Sequence, residues 1–310
     1  MMRRKYLWNL GLSLLVVFIL CTGCSNSSDD PQPVIPDVIP EQTVEPVISA
    51  VGIGVPDLTD ATDFFTAIGL VTSGTPDYLD VDGMDEQVMV ANNAKGGTLV
   101  LMNDPSADPA IYMDNPDKVV FIVPDATTFY QAIMDNGGGI VGDQAETEPQ
   151  VRPEYGDDPV VIVGLAYDPN GYLIEMIQID AISITDPYIV GVGIGVSDLV
   201  ASQDYYTRIL GMVFSMDLDV PGFMDEKELA SPSGQRPNMV LMHYDDPMDY
   251  TDNPVKLVLS VPDAQTFFSV IEEENADLIV TPPATLASGA ISGYAKDLNG
   301  TTIQVVQPAP

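Results

Sequence analysis

Four segments of the chain repeat one phrase: a short apolar run ending in Val-x-Asp, followed by an amphipathic stretch. They are Ala50–Asp57 (AVGIGVPD), Lys118–Asp125 (KVVFIVPD), Gly191–Asp198 (GVGIGVSD) and Lys256–Asp263 (KLVLSVPD). Such a period means one supersecondary unit copied, whose copies must bury their apolar faces against each other. Asp57 and Asp125 lie 68 residues apart, Asp198 and Asp263 lie 65 apart, and Asp57 and Asp198 lie 141 apart. Copies one and three resemble each other, as do two and four. The body of the chain therefore reads as two domains of two modules each, residues 48–180 and 188–307.

Each repeated Asp stands directly before a helical pattern, where its carboxylate can accept the free N–H groups of a first turn. Aromatic pairs follow at matching offsets: Phe64-Phe65, Phe129-Tyr130, Tyr205-Tyr206 and Phe267-Phe268. With Ile68, Ile133, Ile209 and Ile271 they form the apolar stripe that seats a helix on a sheet. Three short strands follow each helix, in the first module near Leu70 to Thr72, Gln87 to Ala91 and Thr98 to Met102. Each module is thus βαβββ, and the fold class is α+β.

Module order and several local phrases resemble the vicinal oxygen chelate superfamily, which includes glyoxalase I, bleomycin-resistance proteins and extradiol dioxygenases. Gly193-Ile-Gly-Val-Ser-Asp-Leu199 and Tyr205-Tyr-Thr-Arg-Ile-Leu-Gly211 are similar to its opening strand and helix, and Ala230-Ser-Pro-Ser-Gly234 with Val240-Leu-Met242 looks glyoxalase-like. Asp168-Pro-Asn-Gly-Tyr-Leu-Ile-Glu175 and Asp297-Leu-Asn-Gly-Thr-Thr-Ile-Gln304 resemble its closing turn and last strand. The resemblance implies two glyoxalase-like domains, each a pair of modules forming a curled mixed sheet around a cavity.

It also implies a divalent metal in that cavity, held by His, Gln or Glu from the first and last strands. The matching positions here are Ala50 and Gly191, Lys118 and Lys256, Val100 and Val240, and Glu175 and Gln304. Ala, Gly and Val side chains donate no lone pair and a protonated Lys repels a metal, so no transition metal is expected. Two readings of the lysines stand. Either they fix a cation inside each cavity, where it could hold a carboxylate or enolate oxygen, or they begin their strands and reach water. On the first reading Lys118 faces Glu175 across one cavity and Lys256 faces the neutral Gln304 across the other. Lys118, Glu175, Lys256 and Gln304 are the candidate ligand-binding residues, and no catalytic residue is assigned.

Charge narrows the field further. Among 310 residues there are 11 Lys and Arg against 46 Asp and Glu, one histidine (His243) and two cysteines (Cys21 and Cys24). No basic face for nucleic acid can be built from this set. A three-histidine zinc site and a four-cysteine cluster lack their ligands. The acidic surface reads either as a solvated coat or as weak calcium or magnesium binding. Asp80, Asp82, Asp85 and Glu86, with their counterpart Asp217 to Glu226, faintly resemble a calcium loop without its full spacing. The shared Met-Asp-Glu reads instead as a hairpin at the cavity mouth. Gly137-Gly138-Gly139 reads as a helix stop and His243 as a capped strand-end residue.

The N-terminus reads as an address. Met1 to Lys5 is basic, Tyr6 to Leu20 is apolar and too short to span a membrane comfortably, and Leu20-Cys21-Thr22-Gly23-Cys24 resembles the lipobox of bacterial lipoproteins. An uncleaved signal anchor is the alternative. The lipobox resemblance implies a signal peptide over residues 1–23, acylation of Cys24 and a cell-envelope location facing the periplasm or exterior. Residues 24–47, with five prolines, form an extended tether. Three functions stand open: a lipid-anchored binder of a small molecule, a metal-free enzyme of glyoxalase or lyase type, and a structural envelope protein.

Overall fold

The computed structural model describes residues 46–74, 84–93, 95–113, 115–142, 147–152, 159–220, 223–251 and 253–310. The signal peptide, Cys24, nearly all of the tether, and Asp80 with Asp82 lie outside the described residues. All four modules are present. The first comprises β1 (Val47–Gly54), α1 (Leu58–Ala67), β2 (Leu70–Ser73), β3 (Asp85–Ala91) and β4 (Thr98–Asn103). The second comprises β5 (Lys118–Ile122), α2 (Ala126–Asp135), the short β6 (Gly139–Ile140) and β7 (Gln150–Val151), β8 (Val161–Tyr167) and β9 (Leu173–Ile179). The third comprises β10 (Tyr188–Gly195), α3 (Leu199–Asp204, continued by a π turn over Tyr205–Ile209), β11 (Val213–Val220), β12 (Met224–Ala230) and β13 (Asn238–Tyr244). The fourth comprises β14 (Val255–Ser260), α4 (Ala264–Asn275), β15 (Ile279–Thr285), β16 (Ile291–Lys296) and β17 (Thr302–Gln307).

The repeated aspartates start the helices. Asp57, Asp125, Asp198 and Asp263 all have extended backbones, and each carboxylate accepts from N–H groups of the first turn. At the other end of α2, the Gly138 N–H donates to the Ile133 carbonyl at 2.9 Å and Gly137 has φ +90°. That pair of glycines closes the helix in a left-handed cap. The aromatic pairs and the four isoleucines all lie in one apolar cluster that runs through all four modules. Phe64 and Phe65 meet edge to face at 5.1 Å, and Tyr205 and Tyr206 do so at 5.5 Å.

The modules pair differently from their order in the chain. One sheet, here sheet A, runs β15-β16-β17-β14-β1-β4-β3-β2, joining module four to module one. The other, sheet B, runs β11-β12-β13-β10-β5-β9-β8-β6, joining module three to module two. The seams are antiparallel, β1 on β14 and β5 on β10. Residues 48–180 and 188–307 therefore each give one module to each sheet, and the expected grouping of consecutive modules in one sheet is corrected. The two sheets are tied by Tyr206, whose hydroxyl donates to Asp297 at 2.9 Å, and by Ser197, whose hydroxyl donates to Asn299 at 2.7 Å. A fragment ending at Asp180 keeps β1 and β5 but loses both seam partners. Expressed alone, it should show no cooperative monomeric melt by circular dichroism, and mixing with residues 181–310 should restore one. A cooperative melt of the isolated monomeric fragment would contradict this pairing.

Candidate functional site

The concave face of each sheet is set by strand alternation, since every second residue of a strand points to the same side. Sheet A turns Ala50, Val88, Val100, Met102, Val258 and Val306 into one small apolar cluster. Sheet B does the same with Val120, Ile177, Val240 and Met242 among others. The metal-ligand positions thus collect as Ala50, Val100, Lys256 and Gln304 in one centre and Gly191, Val240, Lys118 and Glu175 in the other.

Both lysines are buried at these centres, with 1% of Lys118 and 2% of Lys256 exposed, so the water-reaching alternative does not hold. A glycine makes room for each. Gly193 lies opposite Lys118 and Gly52 opposite Lys256 across the antiparallel seams. A Cβ at Gly193 would run into the Lys118 stem and sit 2.7 Å from the Met242 sulfur; one at Gly52 would sit 2.6 Å from the Met102 sulfur. The repeated Gly-Ile-Gly is therefore a seat for a lysine stem under a methionine.

In sheet B, Lys118 Nζ donates to Glu175 Oε2 at 2.8 Å and to Glu226 Oε1 at 2.5 Å. The expected meeting of Lys118 with Glu175 is there, on neighbouring strands. Burial works against the ammonium, but the two carboxylates outweigh it and hold its pKa above the ordinary lysine value. Burial raises the Glu175 pKa against the pull of Lys118. Both groups of one ion pair move upward for different reasons: the two carboxylates raise the lysine, while burial, reinforced by Glu226 and opposed by Lys118 and Arg152, raises Glu175. Glu228, also buried, lies in the same field and accepts from Asn238 Nδ2.

In sheet A, Lys256 pairs with Glu86, and both are buried. This corrects the expectation that the neutral Gln304 is its counterpart: Gln304 lies fully buried on β17 and donates to the Ser292 hydroxyl at 3.2 Å. Glu86 and Glu226 escaped the sequence reading. Their Met-Asp-Glu triplets stand where the second strand of the β2–β3 and β11–β12 hairpins begins. The available signal was alternation, because Glu226 and Glu228 share a face at period two, as do Glu86 and Val88.

Other candidates resolve into local structure. His243 Nδ1 lies 2.8 Å from the Val196 carbonyl, and the ring stacks on Tyr250. Asn103, its counterpart, donates to the Val55 carbonyl at 2.8 Å, so both residues secure the strand end before a helix. Within the acidic loop read as a calcium site, Glu86 engages Lys256 and Asp217 pairs with Lys227. The implied metal does not fit either centre. The first-strand and module-end positions carry no donors, and an ammonium stands among the carboxylates. Among the described residues, no group of three or more His, Cys, Asp or Glu is arranged to hold a metal.

Beside Lys256 a void of about 50 Å³ is lined by Gly54, Met84, Met102, Tyr112 and Asn253, room for a few waters. A larger cleft of about 380 Å³ lies outside the sheets, between Pro56, Asp57, Asp60, Phe64, Asn136 and Asn170.

No family model and no curated protein sequence matches the chain. Solved structures do. Glyoxalase I from Zea mays superposes with a TM-score of 0.63 at 17% identity, covering 85% of this chain and 93% of that one. A putative dioxygenase from Bacillus subtilis superposes at 0.54 with 11% identity, covering 85% of each. The chain has the glyoxalase-like fold. At these identities the likeness carries architecture only, and the chemistry must be read from the residues above.

Two measurements check this site. Removing one partner of a buried ion pair costs ~3–5 kcal/mol. Lys118→Met and Lys256→Met should therefore both destabilise the protein clearly in denaturant titrations. Adding Glu86→Leu to the second should recover much of its loss, and parent-like stability of either single variant would place that ammonium in water. The second measurement concerns Asp117, the buried residue before Lys118. Burial, opposed by the Gly195 N–H and reinforced by Asp297, pushes its carboxyl up to about 7. Its folded pKa lies above its unfolded value, so the stabilisation is complete below about pH 4 and is lost as pH rises through about 7. Asp117→Asn should flatten part of the fall in melting temperature across that window, and an unchanged profile would refute the assignment.

Proposed function

We propose that this chain is a cell-envelope lipoprotein whose glyoxalase-like body is non-catalytic and serves as a tethered structural scaffold. One observation carries the reading: among the described residues, both centres where a glyoxalase-like protein would take its substrate hold buried methionine and lysine side chains, Met102 with Lys256 and Met242 with Lys118. Ion pairs occupy the polar positions there, and an ammonium already neutralised by buried carboxylates is poorly placed to polarise a substrate carbonyl. A second reading keeps the small-molecule ligand and is favoured by the 380 Å³ cleft beside α1, outside the sheets. The anchor belongs to the same proposal and rests on the basic, apolar and lipobox-like sequence of residues 1–24.

Purified protein should bind no stoichiometric nickel, zinc or iron, and should show no glyoxalase I turnover with any of these ions added. Metal-dependent turnover above the buffer rate would overturn the non-catalytic reading. Mass spectrometry of the membrane fraction should find Cys24 acylated at the mature N-terminus. A soluble mature chain beginning elsewhere would overturn the anchor.

A further inference from the structure

The two domains repeat in register through their helices, so each is a comparison for the other. Counted from the capping aspartates, Asp63 corresponds to Asp204, Ala67 to Arg208 and, at the end of the next helix, Asn136 to Glu274. In the second domain a guanidinium lies between the two helices. Arg208 Nε donates to Asp204 Oδ2 at 3.1 Å, and its two terminal nitrogens donate to Glu274 Oε1 and Oε2 at 2.9 and 3.0 Å. One planar cation, held bidentately on one side, thus joins α3 with its π turn to α4.

In the first domain alanine stands at the arginine position, and Asp63 and Asn136 border the cleft of about 380 Å³ beside α1. Neighbouring differences open the same place. Tyr205, whose hydroxyl donates to the Lys296 carbonyl at 3.2 Å, is matched by Phe64. Ser197 and Ser202, which engage Asn299 and seal the closing turn onto α3, are matched by Pro56 and Ala61. The counterpart Asn170 is therefore offered no hydroxyl and borders the cleft. Negative charge stays although the arginine does not: Asp57, Asp60 and Asp63 all line the cleft, and Asp60 stands where the second domain has Ala201. Among the described residues the Asp60 and Asp63 carboxylates make no ion pair or hydrogen bond.

We propose that this cleft binds a small organic cation with a guanidinium head, which takes the place that Arg208 fills in the second domain. The proposal rests on the second reading above, a small-molecule ligand in this cleft, and adds the ligand's chemical class. Two independent observations point to it: the open volume, and the guanidinium that the same helix positions hold in the repeat. Asp63 supplies the carboxylate that Asp204 gives to Arg208 Nε, and Asp57 and Asp60 add negative charge around it. Asn136 keeps an amide oxygen at the position from which Glu274 accepts. Pro56, Phe64 and Pro169 give an apolar wall for a short alkyl stem. A planar fork of donors suits this arrangement better than the compact charge of an ammonium.

The test titrates butylguanidinium and its neutral isostere butylurea into the purified full chain by calorimetry, at matched ionic strength. Three proteins are compared: the parent, Asp63→Asn, and Ala67→Arg/Asn136→Glu. The double variant transplants the second domain's ion pair into the cleft and leaves the net charge unchanged. The parent should bind one butylguanidinium per chain saturably, roughly tenfold or more tightly than butylurea. Each variant should weaken butylguanidinium by roughly tenfold or more. All three substituted residues are exposed, so both variants should melt like the parent. If the double variant melts early, Asp63→Asn alone decides. Unsaturable uptake, or saturable binding that the variants leave unchanged, is general attraction to an acidic surface and overturns the proposal. Butylurea binding as tightly as butylguanidinium, and lost in the double variant, overturns the cation but keeps the cleft as a ligand site. Binding of neither probe overturns both.

Discussion

A lysine stem laid over a glycine at each antiparallel seam is the constraint on which the rest of the architecture depends. Gly193 beneath Lys118 and Gly52 beneath Lys256 let two strands from different modules close to normal sheet spacing with a long side chain between them. Any side chain at either glycine would collide with a methionine sulfur or the lysine itself. Once the stem is seated, its ammonium must find negative charge, because an unpaired buried charge is far costlier than a paired one. Glu86 and Glu226 supply it from strands that lie across the curl. Seam, curl and charge pairing are therefore one linked solution, used in both sheets.

The same linkage underlies the proposed separation of fold and chemistry. The glyoxalase-like curl needs something at its centre to hold two modules together. Here the donors a metal would require are replaced by Ala50, Val100, Gly191 and Val240, and the joining charge comes from the chain itself. A permanent internal cation is already saturated by its partners. The architecture is retained with a buried ion pair of the chain's own at each centre.

Much of this was legible in the sequence. The four Val-x-Asp phrases located the starts of α1, α2, α3 and α4, because an N-cap carboxylate is a local device that needs no tertiary context. The aromatic pairs located the helix faces for the same reason. Lys118 and Glu175 were legible as partners because both sit in one module at matching strand positions. The pairing of modules was not legible. Strands β5, β10, β1 and β14 are all apolar runs that can seat against one another, and the choice is made by seam registers involving residues some 200 positions apart, as with Val51 and Leu257. Missing that pairing also hid Glu86 and Glu226, whose role depends on which module lies opposite. Gln304 was assigned to Lys256 by position, whereas the buried ammonium is neutralised by the carboxylate that reaches it.

The central claim is that Lys118 and Lys256 are internal charges rather than surface ones. Amine-selective labelling of the native protein, read by peptide mass spectrometry, tests it most directly, with the exposed Lys95 as the internal reference. Lys95 should react promptly, while Lys118 and Lys256 stay unmodified until the protein is unfolded. Labelling of either buried lysine in the native state at the rate of Lys95 would contradict the account.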